Sequence, residues 1–110
     1  MKIAIGTKVK KNQAWGGGNN FAINLGKYLK DKGFKVFYDL KCTDLDFIIL
    51  TDPRKNSLSA SFGPSEIKYY LKKINKNTIV VHRLNECDER KNTKNINKEL
   101  LSANKIADYT

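Results

Sequence analysis

The sequence has few cysteines and histidines, and this shortage excludes several kinds of site. Its two cysteines, Cys42 and Cys87, show no C-x-x-C spacing, and the chain contains a single histidine. We therefore expect free thiols rather than a disulfide framework, and neither a zinc site nor another metal centre.

Long hydrophobic runs are also missing. The longest, DFIIL and TIVV, have the length of strands and fall well short of the roughly 20 residues that a membrane-spanning helix requires. The opening, MKIAIG, turns polar too soon for a secretory signal peptide. With 40% hydrophobic and 29% charged residues, we expect one globular, cytoplasmic domain.

Acidic residues and arginines are scarce beside lysines. The formal net charge is +10, yet the chain has three arginines. Such a charge attracts phosphate-bearing partners, although lysines on the polar sides of helices are more often simply solvated. The few arginines argue against sequence-specific recognition of nucleic acid. The lysines on predicted helices are Lys27, Lys30, Lys32, Lys68, Lys72, Lys73 and Lys76.

Short apolar runs predict the strands of the fold. They cover residues 2–7, 34–40, 46–52 and 78–86, and helical patterns alternate with most of them. This order is typical of an α/β fold, a Rossmann-like, doubly wound and mostly parallel sheet with flanking helices. The link at 41–45 is too short for a helical crossover. Either the second and third strands are not neighbours, or a helix is reduced to a turn there.

Apolar residues at helical spacing predict three helices. Asn19 or Asn20 is suited to cap the first, and Gly33 to end it in a left-handed conformation. Pro64 fits the first turn of the second, and Thr93 is suited to cap the third. The stripes expected to be buried are Phe21, Leu25, Tyr28 and Leu29, then Ile67, Tyr70, Leu71 and Ile74, and finally Ile96, Leu100, Ala103 and Ala107.

The first candidate site is a glycine-rich stretch, AWGGGNNF, at the start of the first helix. Gly16, Gly17, Gly18 and Asn19 follow the first strand and precede a helix N-terminus, where unpaired N–H groups and the helix dipole attract anions. The pattern is not G-x-G-x-x-G, and about ten residues separate it from the strand. The alternative is a loop that needs glycine only for its backbone conformation.

The second candidate site follows the fourth strand, in VVHRLNECDERK. Ligands of doubly wound sheets bind at the carboxyl ends of the strands, and polar residues of both signs crowd this turn. The alternatives are a structural histidine at a strand end and a salt-bridged surface turn. The residues expected to bind substrate or phosphate here are His82, Arg83, Asn85, Glu86, Asp88 and Arg90.

Two segments resemble a known family, the GT-B glycosyltransferases of the large family four. Members open with a strand, a glycine-rich loop containing GG, and a helix that ends in a pattern such as L…L…GH-x-V. This chain is similar over MKIAIGTK…WGGGNNFAINLGKYLKDKGFKVFYDL, with Phe34, Lys35 and Val36 in place of the GH-x-V histidine, variable residue and valine. Its later segment, from Ile79 to Thr110, resembles the fourth strand, acceptor-side turn and following helix of the family.

The resemblance implies that residues 1–110 are the N-terminal, Rossmann-like, acceptor-side domain of a longer enzyme, without its C-terminal donor-binding domain. Such an enzyme transfers a sugar from a nucleotide-sugar donor to a hydroxyl of a sugar, lipid-linked or protein acceptor. By the resemblance, the three glycines approach the donor phosphates or the transferred sugar, and His82 and Arg83 lie at the acceptor edge. The resemblance assigns no catalytic nucleophile, and we expect no cofactor.

The end of the sequence agrees with this implication. Residues 106–110 indicate the entry to another buried strand, and a sheet of four strands would leave the last helix poorly covered. We therefore expect the chain to be part of a longer protein.

Two other functions are compatible with these residues. In a stand-alone nucleotide- or dinucleotide-binding module, Asp39 lies about 20 residues past the glycines, at the spacing of a ribose-binding acid. Alternatively, Lys8, Lys10, Lys11 and Trp15 form a basic, aromatic loop for nucleic acid or for an anionic membrane surface.

Overall fold

The structure is a computed structural model that describes residues 1–8, 17–52, 60–83 and 105–109, with the backbone alone at residues 17–19. Each of its four strands lies within the range predicted from sequence and is shorter than that range. In chain order the elements are β1 (Lys2–Ile5), α1 (Gly17–Asp31), β2 (Lys35–Phe37), β3 (Phe47–Leu50), α2 (Pro64–Lys73) and β4 (Ile79–His82).

The four strands form one parallel sheet in the order β2-β1-β3-β4. The predicted α/β class and the parallel sheet are therefore confirmed. Because β1 lies between β2 and β3, the first of the two alternatives for the 41–45 link is correct: the strands that it joins are not neighbours. The link ends at the start of β1, where the Asp46 N–H donates to the Lys2 carbonyl oxygen at 2.8 Å.

The two helices within the described residues lie on opposite faces of the sheet. The crossover through α1 runs from β1 to one side and the crossover through α2 runs from β3 to the other, so right-handed connections place the helices on different faces. Side chains alternate along each strand, so Ile5 lies on the α1 face when Ala4 lies on the α2 face. The core cluster on the α2 face comprises Ala4, Leu45, Ile48, Leu50, Phe62, Ile67, Tyr70 and Val80.

Tyr70 attaches α2 to the 41–45 link. Its side chain is fully buried, as predicted. Its hydroxyl donates to the Cys42 carbonyl oxygen at 2.8 Å and accepts from the Leu45 N–H at 3.1 Å. This pair of bonds satisfies the backbone of a connection that has no secondary structure of its own.

The predicted start of α1 is wrong, whereas its predicted end is confirmed. Gly17 is the first helical residue, so Asn19 and Asn20 lie inside the helix and neither is its N-cap. Gly17 and Gly18 of the glycine-rich stretch therefore belong to the first turn of the helix and not to the preceding loop. Gly33 follows the helix with a φ of 92°, the left-handed conformation that glycine adopts without strain.

Two residues expected in buried stripes are exposed. Tyr28 of α1 is 59% exposed, because Ala22 and Gly26 are the buried residues and their small size lets the helix approach the sheet closely. The Lys32 Nζ lies 5.5 Å from the centroid of the Tyr28 ring instead. Ile74 is 43% exposed because α2 has already ended and this residue is its C-cap.

The predicted entry to a further strand is confirmed at one residue, although this residue is exposed rather than buried as expected. Tyr109 forms a parallel bridge with Val81, and its carbonyl oxygen accepts from the His82 N–H at 2.8 Å. The predicted third helix lies outside the described residues except for its end, where Lys105 and Ile106 form a turn and Ala107 is not helical. Ala107 packs against the core cluster, next to Ile106.

Candidate functional site

The strand order creates a division of the chain at the centre of the sheet. After β1 the chain turns through α1 to β2 on one side, and after β3 it turns through α2 to β4 on the other. The loops that leave β1 and β3 therefore diverge at the carboxyl ends of two neighbouring strands. In doubly wound folds this switch point is where ligands bind.

Two threonines lie directly at this switch point. Thr7 follows β1 and Thr51 follows β3, and both are buried. The Thr7 hydroxyl donates to Thr51 Oγ1 at 3.1 Å, and the Thr51 hydroxyl donates to the Gly6 carbonyl oxygen at 2.8 Å. Sequence reasoning missed this pair, although a hydroxyl residue just after each of two apolar strands was the available signal.

Arg83 connects the end of β4 to the beginning of α1. Its N–H donates to the Leu50 carbonyl oxygen at 2.9 Å, so the backbone stays in register with β3. Its guanidinium carbon lies 3.9 Å from the centroid of the Phe21 ring, on the second turn of α1. Such a cation–π contact contributes about 0.5 to 2 kcal/mol and holds the charge in place without using its N–H donors.

The beginning of α1 adds a second positive group. The first turn of a helix has unpaired N–H groups and the positive end of the dipole, and α1 has no acidic residue there to balance it. Gly17 and Gly18 form part of this turn, and Arg83 contacts the turn that follows it. We call the region that contains Arg83, the N-terminal turns of α1 and the buried Thr7–Thr51 pair the carboxyl-edge site.

His82 does not join Arg83 at the carboxyl-edge site. Neighbouring strand residues point to opposite faces, and the pairing of His82 with Leu50 places it on the α2 face. There its side chain is 1% exposed. Asp52, which follows β3 by two residues, is also buried.

The remaining predicted site residues divide into two groups. The backbone of Gly17, Gly18 and Asn19 belongs to α1 and lies at the carboxyl-edge site with Arg83. Those outside the described residues are Gly16, Asn85, Glu86, Asp88 and Arg90.

A close backbone approach does occur after β1, but at Gly6. A Cβ atom on Gly6 would lie 3.0 Å from Cε1 of Phe62 and 3.1 Å from the Ile49 carbonyl oxygen. The Ser61 N–H also donates to the Gly6 carbonyl oxygen at 3.2 Å. Gly6 therefore allows the segment before α2 to cover the end of β1, a packing role that sequence reasoning did not identify.

At the amino edge of the sheet, Asp44 contacts both a thiol and a lysine. The Asp44 carboxylate accepts from the Cys42 thiol at 2.9 Å and pairs with Lys2 Nζ at 2.5 Å. Both contacts lower the pKa of Asp44 to about 2, the Cys42 hydrogen bond being the larger cause. The same carboxylate raises the pKa of Lys2 above its ordinary value. On the α1 face of the sheet, burial raises the pKa of the Tyr38 hydroxyl.

Within the described ranges, the structure contains no group of three or more histidine, cysteine, aspartate or glutamate side chains able to hold a metal ion. Neither of the two described helices is both long and apolar enough to cross a bilayer. No family model, curated protein or solved structure matches this chain.

Proposed function

We propose that the chain is the acceptor-side, Rossmann-like domain of a GT-B glycosyltransferase, and that its carboxyl-edge site supplies this domain's own contacts to the phosphates of a nucleotide-sugar donor. The observation that carries the proposal is the contact between Arg83 and Phe21. It positions the guanidinium of Arg83 near the N-terminal turns of α1, at the ligand-binding edge of a doubly wound sheet.

The chemistry of these groups suits a diphosphate. A guanidinium presents a fork of N–H donors that matches two phosphate oxygens, and a helix N-terminus adds backbone N–H donors and a partial positive charge. The +10 net charge of the chain attracts an anionic donor over a longer range.

In the proposed reaction the domain acts by positioning and electrostatics. The acceptor hydroxyl oxygen bonds to the anomeric carbon of the donor sugar while the bond from that carbon to the phosphate oxygen breaks. The electron pair leaves on the nucleoside diphosphate, and the hydroxyl proton passes to that leaving group or to a base. Arg83 and the N-terminal turn of α1 stabilise the charge that develops on the leaving phosphate.

The test is a calorimetric titration of the full chain with UDP-glucose and GDP-mannose. The substitution Arg83→Ala removes charge-assisted hydrogen bonds of about 1.5 to 3 kcal/mol each, so we expect the affinity for the bound donor to fall at least tenfold. Arg83→Lys keeps the charge but not the fork, and we expect an intermediate loss.

Lys32 provides a matched control, because it is also a cation beside an aromatic ring of α1, but at the other end of the helix. We expect Lys32→Ala to change the donor affinity less than twofold. Equal losses in the Arg83 and Lys32 variants would mean that net charge alone attracts the ligand. No binding of either donor would contradict the proposal.

A stand-alone dinucleotide-binding module is the second candidate, and one observation favours it. Asp39 lies two residues beyond β2, the strand next to β1, as a ribose-binding acid does in that fold. Its side chain is exposed, and one carboxylate oxygen accepts from the Lys41 N–H at 3.0 Å. If NAD binds more tightly than UDP-glucose, and Asp39→Asn weakens NAD binding about tenfold as a lost charged hydrogen bond would, this candidate replaces the first.

A further inference from the structure

A second surface, on α2 and therefore on the face of the sheet opposite α1, combines exposed apolar side chains with positive charge. Tyr69 is 63% exposed and Ile74 is 43% exposed. Both line an open groove of about 380 Å³, whose wall is mainly apolar and includes Leu40 and Tyr70. An exposed tyrosine and an exposed isoleucine at one groove are typical of a surface whose apolar side chains are buried when a partner binds.

Lysines surround these apolar residues. Lys72, Lys73 and Lys76 share a second open depression with Ile74, at the end of α2. Lys68 is exposed on the same helix. The acidic group that lines the groove is Glu66, so positive charge prevails on this surface. We call the surface formed by Leu40, Tyr69, Ile74 and these four lysines the α2 basic surface.

We propose that the α2 basic surface binds the headgroup region of an anionic lipid bilayer, as a peripheral contact. Lysines next to an exposed tyrosine and isoleucine match the two layers of such a bilayer, with charge at the phosphates and apolar groups just beneath them. Each lysine close to an anionic surface strengthens binding about fivefold.

A nucleic acid fits the same surface less well. Tyr69 lies beside Leu40 and Ile74 in a mainly apolar groove, whereas the binding groove for a nucleic-acid strand is polar and follows the phosphate backbone. Among the described residues, the arginine that stacks on a ring is Arg83, and it contacts α1 on the opposite face. The positive charge near Tyr69 comes from lysines, which act as point charges without a planar fork.

The orientation of α2 makes this inference independent of the proposed function. A crossover helix runs antiparallel to the strands, so the lysine-rich end of α2 lies toward the amino ends of the strands. The carboxyl-edge site lies at the other end. A bilayer on the α2 basic surface therefore leaves the carboxyl edge open to soluble ligands.

The experiment is flotation of the full chain with vesicles of phosphatidylcholine alone and with vesicles in which roughly a third of the lipid is phosphatidylglycerol. We expect binding to the anionic vesicles only. The double substitution Lys72→Gln and Lys73→Gln should lower the partition coefficient about thirtyfold, since two lysines are removed. Tyr69→Ser should lower it several-fold without any change in charge.

Helix α1 provides matched controls for both changes. Lys27→Gln with Lys30→Gln removes the same charge from exposed positions, and Tyr28→Ser removes an equally exposed tyrosine. We expect each control to change the partition coefficient less than threefold. Equal losses in the α1 and α2 variants would overturn the proposal, as would an absence of binding to anionic vesicles.

A competing RNA reveals the alternative partner. A fluorescent single-stranded RNA is titrated at the same salt concentration as the vesicles. The lipid proposal is wrong if the RNA binds more tightly than the anionic vesicles and its binding depends on Lys72 and Lys73, while Tyr69→Ser leaves vesicle binding unchanged. Circular dichroism of each variant checks that α2 stays helical, so that a lost contact is not mistaken for a lost fold.

Discussion

The two edges of the sheet differ in what their polar groups bind. At the amino edge, the hydroxyls of Tyr70 and Thr78 and the amide of Asn75 all bond the backbone of the 41–45 link. The Asp46 carboxylate accepts from the Lys2 N–H at 2.8 Å. These polar side chains serve the fold itself.

At the carboxyl edge the polar groups have a different arrangement. Thr7 and Thr51 bond each other and one backbone carbonyl, and they form a buried base. At the same edge, Arg83 is held by a ring contact that occupies none of its N–H donors, near a helix start without an acidic residue. One edge thus closes a short connection, whereas the other combines a positive side chain with a helix start, the arrangement on which the proposed ligand site rests.

The largest effect is expected at Tyr70, which holds the amino edge together. Tyr70→Ala removes a fully buried ring and both bonds of its hydroxyl, so we expect a loss of about 3 to 5 kcal/mol in the free energy of unfolding. Tyr70→Phe removes only the hydroxyl and keeps the ring, so it should lower the free energy of unfolding by about 1 to 3 kcal/mol. Urea denaturation measures both changes.

Tyr69 is the control for this prediction, because it is the neighbouring tyrosine and is mostly exposed. Tyr69→Ala should change the free energy of unfolding by less than about 0.5 kcal/mol. Similar losses at the two positions would mean that Tyr70 is not the residue that anchors the link.

A smaller loss is expected at the carboxyl edge. Thr51→Val removes the hydroxyl that donates to the Gly6 carbonyl and accepts from Thr7, so the free energy of unfolding should fall by about 1 to 2 kcal/mol. Gly6 keeps its bond from the Ser61 N–H, which limits the loss. Thr7→Val removes a single bond and should cost less. A larger loss in Thr7→Val than in Thr51→Val, measured by thermal unfolding, would be inconsistent with this hydrogen-bond chain.

Gly33 tests a purely conformational contribution. A Cβ atom there would meet no atom within 4 Å, so any loss in Gly33→Ala comes from the left-handed backbone alone. We expect about 1 kcal/mol, and a smaller loss in Gly33→Asn, because asparagine tolerates this conformation better. If alanine stabilises the protein in urea denaturation, the helix does not end through Gly33 as described.

The smallest effect is expected from Asp44, which is exposed to solvent and pairs with Lys2. Because folding lowers the pKa of Asp44 from 3.8 to about 2, its stabilising contribution is complete above the ordinary value and disappears as the pH falls toward 2. The stability difference between the wild type and Asp44→Asn should therefore narrow over this acid range. Lys2 behaves in the opposite sense: its raised pKa means that its contribution disappears only above pH 10.5.

Denaturant midpoints measured across these pH ranges check the Asp44 prediction. Salt should reduce the difference, because exposed ion pairs are screened. A difference that stays constant down to pH 2 would show that the carboxylate charge contributes nothing.

Periodicity was sufficient for the α/β class, since four short apolar runs and two amphipathic stripes match the strands and helices. The strand order was not predictable, because a short link at 41–45 is compatible with two arrangements until the packing of β1 between β2 and β3 selects one. Local patterns also misplaced Tyr28, since they do not show that Gly26 brings α1 close to Tyr38.

Part of the carboxyl-edge site was visible in the sequence, because glycines before a helix and an arginine after a strand are local signals. The proximity of the arginine to the helix start could not be predicted, because Arg83 and Phe21 are far apart in the chain and meet only after β4 joins the sheet. The Thr7–Thr51 pair was missed for the same reason: each threonine is unremarkable until its neighbour is known.

We expect phosphate-bearing ligands to bind at the carboxyl edge and not at the amino edge. An NMR titration of the isotope-labelled chain with UDP-glucose, which follows backbone amides at both edges, tests this expectation. We expect shifts at Gly17, Gly18, Thr7, Thr51 and Arg83, with little change at Cys42, Leu45 and Thr78. Shifts confined to the amino edge, or no shifts with saturating ligand, would contradict it.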